Sequence, residues 1–174
     1  MKKILYKILA LCCVIFTMFS LISCNKENNL GSTNDDQAIA NEEQTMTSEQ
    51  KFYEVVDETR ILLDEVADDI YSCWYDAIYN DEYYGSINIA IAYAQSINKE
   101  NLDTIALNDE TITAFYKEVK DGALSKEVKE VLHTYSDYYE FVVNVSGSFN
   151  SFSAGKESKK KALATALKNL SYEL

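Results

Sequence analysis

From Phe52 to Ala77 the apolar side chains return at steps of three and four: Phe52, Val55, Val56, Leu62, Leu63, Val66, Ile70, Cys73, Trp74 and Ala77, with Thr59 filling one place in the row. No proline occurs anywhere in the 174 residues to interrupt such a run. Steps of three and four bring side chains onto one face of an α-helix, whereas a half-buried strand would need strict alternation. The other side carries Glu54, Asp57, Glu58, Asp64, Glu65, Asp68 and Asp69. Thr47, followed three places on by Gln50, has the form of a capping box. The pattern predicts one helix from Ser48 to about Tyr79, roughly 50 Å long at ~1.5 Å per residue.

The same period continues beyond Asn80-Asp81, which breaks the first helix. Ile87, Ala90, Ile91, Ala94 and Ile97 predict a second helix ending near Asn98. Asn108 or Asp109 can cap a short third helix with Ile112, Phe115, Tyr116 and Val119 inward, which Gly122 stops. Ser125 caps a fourth along Val128, Val131, Leu132, Tyr135, Tyr139 and Val142. Residues 146–153 read as a loop, and Ala162, Leu163, Ala166, Leu167 and Leu170 form a last helix. The fold class expected is all-α, an antiparallel bundle of four or five helices with a long first helix. Residues 48–174 have the length of one ordinary domain.

A different composition precedes it. Met1 to Lys7 carries Lys2, Lys3 and Lys7 and no acid, and Ile8 to Phe19 is almost entirely apolar. About 12 residues are too few to cross a ~30 Å hydrocarbon core, so this is the shape of a signal sequence rather than of a membrane span. Leu21-Ile22-Ser23-Cys24 then resembles the lipobox of bacterial lipoproteins. That resemblance implies cleavage between Ser23 and Cys24 and a diacylglycerol thioether on Cys24, with two or three acyl chains giving a stable anchor. An ordinary secretory signal with an accidental cysteine is the plainer alternative. Asn25 to Thr47, rich in Asn, Glu, Gln, Ser, Thr and Asp, reads as a disordered tether with a reach of about 25 Å. The domains expected are thus a signal peptide over 1–23, a lipidated linker over 24–47 and a helical bundle over 48–174.

Cleavage changes the charge. The chain has 16 basic and 28 acidic residues; residues 1–24 hold three lysines and no acid, so 13 basic and 28 acidic residues remain, net −15. Nucleic acid needs a basic footprint and is excluded as a partner. The same charge opposes lying flat on anionic lipid. With Cys24 lipidated, Cys73 has no internal disulfide partner and belongs to the buried stripe.

Few residues point to chemistry. Glu130-x-x-His133 has the spacing of a di-iron ligand pair, but that site needs the motif twice and His133 is the only histidine. A surface glutamate and a histidine at the core edge is the simpler reading, and no metal or cofactor is expected. Gly-x-Ser-x-Gly and Gly-rich phosphate loops are absent, so no enzyme is expected; a hydrolase using carboxylate or tyrosine chemistry stands as an alternative. Asp64, Glu65, Asp68 and Asp69 repel one another at i,i+4 and read as a solvated outer face. The run Lys156-Glu157-Ser158-Lys159-Lys160-Lys161 opposes the dipole if it opens the last helix. It is expected to be solvated, with pairing to the acidic helix or contact with an anionic envelope polymer as the other readings.

Tyrosine is the outlier, with 13 copies. Trp74 falls on the apolar stripe, whereas Tyr75, Tyr83 and Tyr84 fall off it and are candidates for a binding surface, together with Lys159, Lys160 and Lys161. Tyr138-Tyr139-Glu140-Phe141-Val142-Val143-Asn144-Val145-Ser146-Gly147-Ser148-Phe149-Asn150-Ser151-Phe152-Ser153 resembles a segment of small uncharacterised Gram-positive surface lipoproteins, which implies a cell-surface location and no particular activity. The expected function is a membrane-anchored, outward-facing lipoprotein that binds an envelope protein or polymer. A surface-exclusion or immunity protein against phage or toxin is the alternative outside enzymology.

Overall fold

The computed structural model describes residues 46–80 and 85–174. Among these the chain forms five helices and no strand: α1 Ser48–Tyr79, α2 Ile87–Ile97, α3 Lys99–Val119, α4 Ser125–Val143 and α5 Phe149–Ser171. The all-α bundle with a long first helix is therefore what the residue pattern dictates. The expected signal sequence, the lipobox-like stretch with Ser23 and Cys24, and most of the expected tether lie outside the described residues.

The ends are set by local hydrogen bonding. Gln50 N–H donates to Thr47 Oγ1 at 3.1 Å while Thr47 N–H donates to Gln50 Oε1 at 2.9 Å, the reciprocal capping box at the start of α1. Ser86 accepts from Ile89 N–H at 3.3 Å to open α2. Ser148 and Ser151 form a second capping box, which starts α5 at Phe149.

Cross-helix contacts fix the topology. Ser48 meets Glu118, Thr59 meets Asn108, Glu65 meets Asn101 and Asp69 meets Asn98, so α3 runs antiparallel to α1. Trp74 with Phe152, Asp68 with Lys156 and Asp64 with Lys160 set α5 antiparallel to α1 as well. Phe141 stacks on Phe152 and Asp137 faces Lys159, which makes α4 antiparallel to α5. The result is an up-down-up-down bundle of α1, α3, α4 and α5, with α2 laid against α1. Helix α1 touches all four others. Phe52, Val56, Leu63, Val66, Ala67 and Ile70 on α1 are fully buried, together with Ile105, Ile112, Val128, Val131, Leu163 and Leu170 from its neighbours.

Several boundaries differ from expectation. Helix α3 begins at Lys99, not near Asn108: Asn98 is at once the end of α2 and the start of α3. Its buried side chain donates to Asp69 Oδ2 at 2.8 Å and to Ala94 O at 3.0 Å, so the break is a single residue held from α1. Asn108 instead sits inside α3 and donates to Thr59 Oγ1 at 3.0 Å. Ser125 is the first helical residue of α4 rather than its cap. Residues 149–153 are helix, not loop, because the Ser148/Ser151 box starts α5 two turns before the lysine run. On α4 it is Tyr138, not Tyr139, that is fully buried. The buried set Val128, Val131, Tyr135, Tyr138 and Val142 follows alternating steps of three and four, the narrow seam that a bundle helix presents.

Candidate binding groove

At the C-terminal end of α1, tyrosines at four-residue spacing meet phenylalanines from the start of α5. Tyr75 lies 4.6 Å from Tyr79 between ring centroids, Tyr71 lies 5.1 Å from Phe149, and Trp74 lies 5.5 Å from Phe152. Phe141 stacks on Phe152 at 4.9 Å from the other side. A Cβ on Gly155 would come within 2.7 Å of the Phe141 ring, so the glycine makes room for it one turn along α5.

Beside this cluster lies a groove of about 660 Å³. Trp74, Ile78, Ile87, Ile91, Val145 and Phe149 supply apolar walls, while Ser86, Asn88, Ser146 and Ser148 supply polar groups. Two helix starts, those of α2 and α5, converge on it. Gly147, with φ of 91°, turns the chain between α4 and α5 through the left-handed region. Trp74 is buried, its indole N–H has no hydrogen-bond acceptor among the described residues, and its ring meets Phe149 in a T-shaped contact at 6.0 Å.

Val145 and Ser146 also border a second hollow of about 570 Å³, completed by Asp137, Glu140, Phe141, Asn144 and Lys159. The two hollows are therefore neighbours across one stretch of backbone, one largely apolar and one of evenly mixed lining that carries the charged groups, the polar hollow.

The expected surface residues are dispersed. Tyr75 is 42% exposed and belongs to the aromatic end. Tyr83 and Tyr84 lie outside the described residues. Lys159 borders the polar hollow, 3.7 Å from Asp137 and over the Phe141 ring. Lys160 pairs with Asp64 at 3.2 Å. Lys161 is exposed and lines a separate shallow groove between α4 and α5 with Glu130 and Thr134. The lysine run is thus divided between three places rather than forming one patch.

The acidic side of α1 is divided. Glu65 and Asp68 are exposed, as a solvated outer face requires, whereas Asp64 and Asp69 are partly enclosed between helices. Asp64, with its side chain only 13% exposed, accepts from Tyr138 Oη at 2.9 Å and from Arg60 at 3.0 Å besides pairing with Lys160. Asp68 takes Lys156 at 2.6 Å, Asp69 takes Asn98, and Glu65 takes Asn101. Lys156 is the one lysine of its run that is buried. Burial pushes its ammonium down, but the hydrogen bond and charge of Asp68, with Glu157, outweigh this and hold it above the usual value. Solvation as the explanation of the run therefore fails for Lys156 and Lys160: pairing with the acidic helix is what these two do.

His133 and Glu130 are both exposed on α4, so the histidine is not at the core edge. Among the described residues no group of three or more His, Cys, Asp or Glu is placed to hold a metal ion. No helix among them is long and apolar enough to cross a membrane.

Two buried tyrosines make the core sensitive to alkali. Burial, followed by the charge of Asp109 and Asp64 and the hydrogen bond each accepts, pushes the hydroxyls of Tyr135 and Tyr138 far above their usual value. The folded chain keeps both protons where the unfolded chain releases them, above pH ~10. Stability is therefore full below that pH and falls above it by about 1.4 kcal/mol per pH unit for each tyrosine. Urea unfolding between pH ~9 and ~11 should show this slope, and the Tyr135→Phe/Tyr138→Phe double variant should flatten it. An equal slope in the variant would refute the assignment.

The groove was not foreseen, although the signal for it was present. Helix α2 has no charged residue, yet only Ala90 and Ala94 of its apolar side chains are buried. Ile87 and Ile97, expected inward, are 41% and 53% exposed, and Ile89 and Tyr93 are exposed as well. A largely apolar helix is ordinarily enclosed, so the exposed isoleucines of α2 at the bundle's edge stand out from the rest of the surface. Compared with protein-family profiles, with curated proteins and with solved structures, the chain matches none.

Proposed function

We propose that this chain is an exported lipoprotein, cut before Cys24 and held on the outer side of a cell membrane by lipid on that cysteine, and that its helical bundle is a binding module of the envelope. The location rests on the order of basic start, short apolar run and Leu21-Ile22-Ser23-Cys24. The single observation that supports binding is the groove at the aromatic end of α1, an apolar recess open to solvent next to an uncharged helix. Catalysis has less support. Asp64, the least exposed carboxylate among the ion pairs, is committed to Arg60, Tyr138 and Lys160 and borders neither hollow.

The location has a direct test. Cells fed labelled fatty acid should label the protein, and Cys24→Ala should abolish the label. A labelled Cys24→Ala protein would overturn the lipid assignment.

A further inference from the structure

The two hollows on either side of Val145 and Ser146 differ in electrostatic sign, and that difference narrows what can bind. The apolar hollow receives the starts of α2 and α5, where backbone N–H groups carry partial positive charge and favour oxygen acceptors. Asn88 adds an amide and Ser86 a hydroxyl at the same edge, while the Ser148 hydroxyl is engaged with Ser151 in its capping box. The polar hollow receives the end of α4, where carbonyl groups carry partial negative charge, together with Asp137 and Glu140. Lys159 offsets one of these carboxylates at 3.7 Å, across a pair whose aspartate is 55% exposed. Asn144 donates to Glu140 at 2.8 Å without neutralising it. A ligand spanning both hollows thus meets, in order, apolar walls, hydrogen-bond donors and then negative charge.

Resting on the reading of the bundle as a binding module, we propose that this paired site takes a peptide segment of a partner protein in which apolar and basic side chains follow one another. The apolar side chains enter between Trp74, Ile78, Ile87, Ile91 and Phe149. The carbonyls of the segment face the starts of α2 and α5, and a Lys or Arg reaches Asp137 and Glu140. Charge complementarity selects this occupant: the chain after Cys24 is net −15, which speeds the approach of a basic segment and repels an acidic one. A second copy of the chain would bring the same negative charge. A volume of about 660 Å³ is within the range of sites that hold a few large side chains.

Trp74 is the only tryptophan of the chain and lines the groove, so its emission reports occupancy. The full chain in phosphatidylcholine vesicles is titrated with the hexapeptide acetyl-LKLKLK-amide and with acetyl-LELELE-amide, exciting tryptophan alone. The expected result is a saturable shift with the basic peptide only, weakened by added salt. Ile78→Gln, at a position 39% exposed, should weaken binding about tenfold with unchanged helix content. Glu140→Gln, also exposed, should weaken it about threefold. No shift, an equal shift with the acidic peptide, or full affinity in both variants would overturn the proposal. So would self-association of the protein alone that Ile78→Gln abolishes, since a second copy would then fill the groove. Lipid labelling at Cys24 is read separately, so failure of either claim is distinguishable from failure of the other.

Discussion

Phe152→Ala is expected to destabilise the folded domain by about 3–5 kcal/mol, the range for emptying a large aromatic site in a packed core. Phe152 is 1% exposed and joins three helices: it belongs to α5, meets Trp74 of α1 at 5.5 Å and stacks on Phe141 of α4 at 4.9 Å. Its removal takes away transfer energy and leaves a space that rigid rings on either side are slow to fill. Gly155 already sits hard against Phe141, so that ring has little room to follow. Urea unfolding should show a lower midpoint with the same slope. Leu107→Ala serves as the control; Leu107 is 64% exposed, and its loss should change stability by less than about 0.5 kcal/mol. A cost below about 1 kcal/mol for Phe152→Ala would mean that α5 does not begin at the Ser148 cap, because only a helix starting there carries Phe152 inward.

Asp64→Ala is the second large effect, about 2–4 kcal/mol. Most of it is the loss of acceptors for groups that remain buried. Tyr138, fully buried, loses the hydrogen bond its hydroxyl donates to Asp64. Arg60, its side chain 22% exposed, keeps Asp57 at 2.8 Å but loses Asp64 at 3.0 Å. Its guanidinium is pushed down by burial and raised by Asp57 and Asp64, with a net rise, so both acids hold the charge in place. Lys160, 38% exposed, is screened by solvent and should contribute little. The order of costs expected is therefore Asp64→Ala, then Tyr138→Phe at about 1 kcal/mol, then Lys160→Ala at less than about 0.5 kcal/mol. A double-mutant cycle between Asp64→Ala and Tyr138→Phe should return a coupling near the whole cost of Tyr138→Phe. Additive costs would mean that the pair is not formed in solution.

How the acids of α1 behave shows why local pattern is an incomplete guide. Spacing alone separates an apolar stripe from an acidic side, and the second is naturally assigned to water. That inference holds for a helix with neighbours on one flank. Helix α1 touches all four other helices, so Asp64 and Asp69 are partly enclosed, while Glu65 and Asp68 stay exposed yet still reach side chains of α3 and α5. The reverse happens on α2, where Ile87 and Ile97 have the right period for burial but sit at the edge of the bundle. Period reports that two residues share a face; it does not report whether another element covers that face.

The Ser148 region carries the same lesson for boundaries. Ser-Gly-Ser followed by Phe-Asn-Ser-Phe-Ser has the composition of a loop, and serine is a poor helix former. Ser148 and Ser151 nevertheless exchange hydrogen bonds as a capping box, and Phe149 and Phe152 then gain the burial that favours helix. Long-range packing outweighs propensities of a few tenths of a kcal/mol per residue.

By itself the sequence determined the all-helical class, the length of α1, its capping box and most of the buried stripe, because these depend on hydrogen bonds and faces within one helix. The proposal of a lipid anchor at Cys24 rests on linear sequence alone, on Leu21-Ile22-Ser23-Cys24 behind a short apolar run. Only the tertiary structure decided which acids are enclosed, where the lysine run goes and that Ile78, Ile87, Val145 and Phe149 border one groove. Those outcomes depend on how four helices pack about a fifth, and residues as far apart in the chain as Trp74 and Ser148 have no local signal that they will meet.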